Sequence, residues 1–198
     1  MRLGVFGGTF DPPHLGHLIL AAEALDQLKL DRLLWVLTSS PPHKQNQHVS
    51  ALDVRLELLQ AMLGGDPAFE LSRVDIDRPA PHYAADTVQL LREQYPHDEL
   101  YYLMGGDSLH DFPSWYCPDV FLAGCTGLGV MRRPGDEIDL AQLEHVLPGI
   151  TEKTHFINSP LLEISSKQIR ERVRSRHTYR YYLPDAVFRL IDEKRLYL

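Results

Sequence analysis

Short apolar runs punctuate the chain at Arg2–Phe6, Arg32–Leu37, Phe69–Ser72, Leu100–Met104, Gly127–Met131 and Thr154–Ile157, each of strand length. Between them apolar residues recur every three or four positions. Leu15, Leu18, Ile19, Ala22 and Leu25 share one helical face, as do Leu52, Leu56, Leu59 and Met62. Similar spacing predicts helices over Tyr83–Tyr95, Leu140–Val146, Ser165–Arg176 and Pro184–Lys194. Strand and helix alternate through most of the chain, which predicts an α/β fold: a doubly wound, mostly parallel sheet with helices on both faces. No repeat, low-complexity tract or linker interrupts the pattern. Residues 1–198 are therefore expected to form one domain, with the helical segment 165–198 packed on it.

In open sheets of this kind ligands sit beyond the carboxyl ends of the strands, where the strand order reverses. The unusual polar segments all follow strands: Gly7–His17, Thr38–His48, Gly105–Asp111 and Arg132–Gly135. Loops after parallel strands share an edge, so these four are expected around one crevice.

Charge sharpens that picture. A net charge of −7 disfavours a general nucleic-acid binder and repels nucleotides at long range, so a nucleotide crevice here has to be locally basic. The arginines from Arg170 to Arg180 spread around a helix rather than lining one face, which reads as a solvated helix and not an RNA strip. Cys117 and Cys125 are spaced neither as a redox pair nor as a zinc framework, and they suit a reducing compartment. The start of the chain lacks the shape of a signal peptide, and the longest mostly apolar stretch, Val120–Met131, is broken by glycines and too short for a membrane span. A cytoplasmic protein with no membrane partner is expected.

Gly7-Gly8-Thr9-Phe10-Asp11-Pro12-Pro13-His14-Leu15-Gly16-His17 carries the most chemistry. A strand, a glycine turn and a helix start aim backbone N–H groups at an anion. His14 and His17, three apart, fall on one face of the first helical turn. The stretch has no third glycine in dinucleotide spacing and no Walker lysine, so it points to nucleotidyl transfer rather than hydride transfer or kinase chemistry. Asp11 before two prolines reads as a structural turn residue. Lys44, at the tip of a proline-rich polar loop, is either a mobile phosphate contact or a solvated lysine. Arg55, opposite the leucines of its helix, reads as solvated. Gly105 permits close approach of a ligand, and Asp107 is either a ribose acceptor or a helix cap. Ser165 and Gln168 have capping-box spacing, and Ser166 and Arg170 add donors for a triphosphate near that helix start.

The first motif resembles the signature of the small Rossmann-like nucleotidylyltransferases, and its extended form is similar to the nicotinate-mononucleotide adenylyltransferase family. Pro42-His43-Lys44, Gly105-Gly106-Asp107-Ser108, Phe112-Pro113-Ser114-Trp115, Arg133-Pro134-Gly135 and Ile164-Ser165-Ser166 match further elements of that family. The chain departs from it at His82, Ala84 and Lys167, where the family carries hydroxyls.

The resemblance implies adenylyl transfer from ATP to nicotinate mononucleotide, giving nicotinate adenine dinucleotide and pyrophosphate, with Mg²⁺ accompanying ATP. His14, His17, Lys44 and Arg170 would be catalytic. ATP would meet Gly7, Gly8, Thr9, Phe10, Gly105, Asp107, Ile164, Ser165 and Ser166. The mononucleotide would meet Lys44, Tyr83, Thr87, Trp115 and Tyr116, with Arg133 on its phosphate. The competing readings are a different acceptor (nicotinamide mononucleotide or phosphopantetheine) and a nucleotide sensor without turnover. A homo-oligomer is compatible with either.

Overall fold

β1 (Arg2–Gly8) lies inside the sheet, with β2 (Arg32–Leu37) on one side and β4 (Glu99–Gly105) on the other. β3 (Phe69–Ser72), β5 (Gly127–Met131) and β6 (Thr154–Ile157) complete six strands in the order β3-β2-β1-β4-β5-β6, every pair parallel. This is a computed structural model, and it describes residues 1–39, 49–132, 138–160 and 162–198. The strand order reverses between β1 and β4, the switch point at which a doubly wound sheet binds its ligand.

Side chains alternate across the sheet and build a core on each face. Leu3, Val5, Leu34, Val36, Tyr102, Met104, Leu128 and Val130 face one way. They are covered by α3 (Ala84–Gln94), α5 (Pro118–Gly124), α6 (Leu140–Val146) and α7 (Ile150–Lys153). Phe6, Leu33, Trp35, Leu37, Tyr101 and Leu103 face the other way. Their cover comes from α1 (Leu15–Gln27), α2 (Leu52–Leu63), α8 (Ser166–Arg174) and α9 (Asp185–Glu193). Ile169, Val173, Val187 and Ile191 place the C-terminal helices in the same buried cluster as Trp35.

The expected strands all form, with β1 and β4 running on into Gly8 and Gly105. The helix pattern is less complete. α4 (Gly106–Asp111), α5 and α7 have four to seven residues each, too few turns for a period to show. No helix among the described residues is long and apolar enough to cross a membrane.

Candidate functional site

β1 ends in the glycine pair and delivers the chain into a tight loop before α1. His14 is the N-cap of α1 with extended backbone, and His17 is the third helical residue. The rings stack at 3.7 Å between centroids, inclined by 22°. His17 Nδ1 accepts the backbone N–H of His14 at 3.1 Å, the return arm of a capping box. A neutral His17 ring thus carries its proton on Nε2. Phe6 and Phe10 meet the His17 ring edge-on at 5.9 and 5.1 Å and fix its plane. Gly16 makes the stack feasible, because a Cβ there would stand 3.1 Å from His14 Nδ1.

The glycine pair has a packing reason as well. A Cβ on Gly7 would come within 2.5 Å of the Tyr102 hydroxyl, and one on Gly8 within 2.7 Å of the Phe10 ring. The left-handed residue of the loop is Phe10, at φ 47°, which is unfavourable for a side chain of that size. Burial offsets the cost: Phe10 is 2% exposed and packs against Phe6, His17 and Trp35.

Distant residues hold the loop backbone. Arg170 donates to the Asp11 carbonyl at 2.6 Å, and the Ser166 hydroxyl to that of Pro12 at 2.8 Å. The Tyr197 hydroxyl donates to Asp11 Oδ1 at 2.8 Å, and Oδ2 accepts the Ser50 N–H at 3.0 Å. Asp11, 4% exposed, is structural as the sequence suggested. Arg55 is not the solvated residue expected. It is 2% exposed and donates to the carbonyls of Ser50 (2.9 Å), Thr9 (3.1 Å), Thr38 (2.8 Å) and Ser39 (2.8 Å). Burial lowers its pKa from the ordinary guanidinium value, opposed by the Asp11 carboxylate.

A cavity of about 630 Å³ opens where β1, β4, β5 and β6 end. His14, His17, Gly105, Ile164, Ser165, Ser166 and Arg170 line it, so these expected residues come together. The lining carries three cations, Arg132, Lys167 and Arg170, and one carboxylate, Glu163, which makes the cavity basic in an acidic chain. Nothing stands within 4 Å of where a Gly105 Cβ would point, so that glycine leaves room beside the cavity. Ser165 caps α8, accepting the Gln168 N–H at 3.2 Å. The reciprocal arm of that box does not form, and Gln168 Oε1 is buried with no hydrogen-bond partner.

Gly7, Gly8, Thr9, Phe10 and Asp107 are not in the cavity lining; Asp107 lies exposed in the first turn of α4. Tyr83, Thr87, Trp115 and Tyr116 belong to a separate region. Tyr83 and Tyr116 stack at 4.3 Å, and Trp115 packs edge-on against Phe112 and Phe121. Thr87 is 3% exposed, and its hydroxyl donates to Asp75 Oδ1 at 2.7 Å while accepting from Arg78 at 3.2 Å. Its side chain organises the buried Arg78–Asp75 pair rather than an open surface. His82, 6% exposed, joins this network through Ser39 Oγ at 2.9 Å. Lys44 and Arg133 lie outside the described residues.

The cavity also recruits residues that the motifs did not flag: Ile19, Met131, Ser159, Leu162 and Glu163. Arg132 had a signal, since it directly follows β5 on the edge where ligands bind; the guanidinium lies 3.8 Å from the Phe156 ring centre.

A cytidylyltransferase-like family model matches residues 5–172. The chain is 42% identical to a probable nicotinate-nucleotide adenylyltransferase of Thermomicrobium roseum, covering 99% of this chain and 91% of the relative. It is 38% identical to the nicotinate-nucleotide adenylyltransferase of Bacillus subtilis, covering 99% and 98%. The nicotinic acid mononucleotide adenylyltransferase of Plasmodium falciparum, solved in complex with NaAD, superposes with a TM-score of 0.80 at 18% identity, covering 99% and 97%. At that identity the match speaks for the fold, a Rossmann-like α/β sheet.

Proposed function

The chain belongs to the nicotinate-nucleotide adenylyltransferases within the cytidylyltransferase-like family, and from that premise we propose that it transfers the adenylyl group of ATP to nicotinate mononucleotide. One observation carries the reading: the stacked His14–His17 pair on the wall of a basic cavity at the sheet's switch point. The same reading takes residues 1–198 as one domain of a cytoplasmic protein whose partners are small molecules. The shared cluster of Trp35 with Ile169 and Val187 supports the single domain.

The reaction needs no covalent enzyme intermediate. A 5′-phosphate oxygen of the mononucleotide attacks the α-phosphorus, the bond to the β-phosphate oxygen breaks, and pyrophosphate leaves. Alignment of two anions and stabilisation of charge at phosphorus do the work. The Nε2–H that the His14 N–H enforces on His17 is a suitable donor to an α-phosphate oxygen. His14, Arg170 and the cavity cations Arg132 and Lys167 would hold the triphosphate. Tyr83, Trp115 and Tyr116 would face the pyridine ring, with Thr87 positioning through Asp75 and Arg78. Lys44 and Arg133 keep their proposed phosphate roles.

Mg²⁺ fits as part of the substrate, MgATP, where it neutralises charge on the departing pyrophosphate. An ion brought in this way is held mainly by phosphate oxygens and water.

The test is a competition: ATP with equal nicotinate and nicotinamide mononucleotides, the dinucleotide products quantified. Nicotinate adenine dinucleotide should dominate. Turnover confined to another acceptor, or ATP binding with no turnover at all, would overturn the reading.

A further inference from the structure

We propose that Tyr197 is a positioning residue for this reaction, acting on the His14–His17 pair through the Asp11 carboxylate. The proposal rests on the adenylyl-transfer reading above.

Asp11 is buried, so both carboxylate oxygens have to be met from within the protein. Tyr197 meets one and the Ser50 N–H the other. Asp11 thereby ties together the two segments that carry Ser50 and Tyr197. The backbone leading into His14 is then held at Thr9 by Arg55, at Asp11 by Arg170 and Tyr197, and at Pro12 by Ser166. Of these contacts, the one from Tyr197 alone reaches the Asp11 side chain from another side chain.

Tyr197 is itself held against local preference. Its φ is 67° and that of Arg195 is 52°, both in the left-handed region that disfavours residues with side chains. Such a segment relaxes unless its surroundings over-determine it. Leu196 supplies one restraint, its N–H bonding the Ile191 carbonyl at 3.0 Å, and Leu196 and Tyr197 pack against the core. The phenol supplies the other. Burial, reinforced by the Asp11 carboxylate, raises its pKa, so it remains a donor through the neutral range.

Tyr197→Phe keeps the ring and deletes the hydroxyl. We expect kcat to fall about tenfold, within the range that small misplacement of reacting groups costs. KM for ATP should stay within about twofold, with unchanged circular dichroism at the assay temperature. Amide hydrogen exchange over residues 9–14 should accelerate. In an Asp11→Asn background, Tyr197→Phe should change kcat no further, because the two act as one unit. A kcat within about twofold of the parent, or a fall that merely tracks loss of folded protein, overturns the proposal. If the parent makes no dinucleotide from any mononucleotide, the adenylyl-transfer reading has failed. Exchange over residues 9–14 then decides alone, and an unchanged rate overturns the role of Tyr197.

Discussion

Replacing Arg55 with methionine removes a buried cation that four carbonyl oxygens share, at 2.8 to 3.1 Å. Hydrogen bonds from a charged donor contribute about 1.5–3 kcal/mol each, a gross of about 6–12 kcal/mol. Desolvating the guanidinium costs several kcal/mol, a cost the variant no longer carries. The remainder, including the carbonyls left unmet, sets the expected loss at about 3–5 kcal/mol. Against a typical domain stability of about 5–15 kcal/mol that is a large fraction. With a urea m-value of about 2–3 kcal/mol/M, the unfolding midpoint should drop by about 1–2 M. Arg55→Lys should fall between parent and methionine variant, since an ammonium has one donor centre where the guanidinium has three nitrogens. The assay is equilibrium urea unfolding followed by circular dichroism and tryptophan fluorescence. A midpoint shift below about 0.3 M for the methionine variant would refute the reasoning, because it would mean the carbonyls are satisfied equally well without the cation.

His17→Ala should lower kcat by about two to three decades with less effect on KM for ATP, measured by steady-state pyrophosphate release; a normal kcat removes His17 from the chemistry. Gly16→Ala pushes a methyl group to 3.1 Å from His14 Nδ1 while gaining helix propensity of about 1 kcal/mol. Its melting temperature should hold while kcat falls about tenfold, and an unchanged kcat would show that the ring stack tolerates displacement. Glu144 accepts the backbone N–H groups of Gly149 and Thr151, which depress its pKa. Its contribution is complete above the unfolded glutamate value of about 4.3 and is lost as pH falls through the lower folded value. Glu144→Gln should therefore show a flatter decline of stability in the acid limb, and identical pH profiles in urea titrations would count against that role.

The central strands were legible because each is an apolar run buried on both faces, whereas the edge strands β3 and β6 are half-buried and carry Glu70 and His155 among their apolar residues. The long helices were legible from their helical spacing, although α1 buries Leu20, Ala21 and Ala24 rather than the face of Leu15, Leu18, Ile19, Ala22 and Leu25, whose Ala22 is exposed. α5 was hidden: Phe121 and Leu122 merge in sequence with the apolar residues of β5, and seven residues carry too little period to separate them. At the site, His14, His17, Ser165, Ser166 and Arg170 announced themselves through spacing that matches a helix start. Arg55 did not. Its partners are backbone carbonyls contributed by loops after β1 and β2, and a sequence displays no carbonyl as special. Tyr197 was silent for a related reason, since its partner Asp11 lies 186 positions away.

That separation bears on how the protein is made. A ribosome releases Gly7–His17 early, yet the groups that restrain this loop arrive in sequence with Arg55, then Ser166 and Arg170, and finally Tyr197. A nascent chain stalled before residue 166 has its histidines and lacks three of these four restraints. The loop that carries the histidines therefore gains its full set of restraints only after residue 197 has been made.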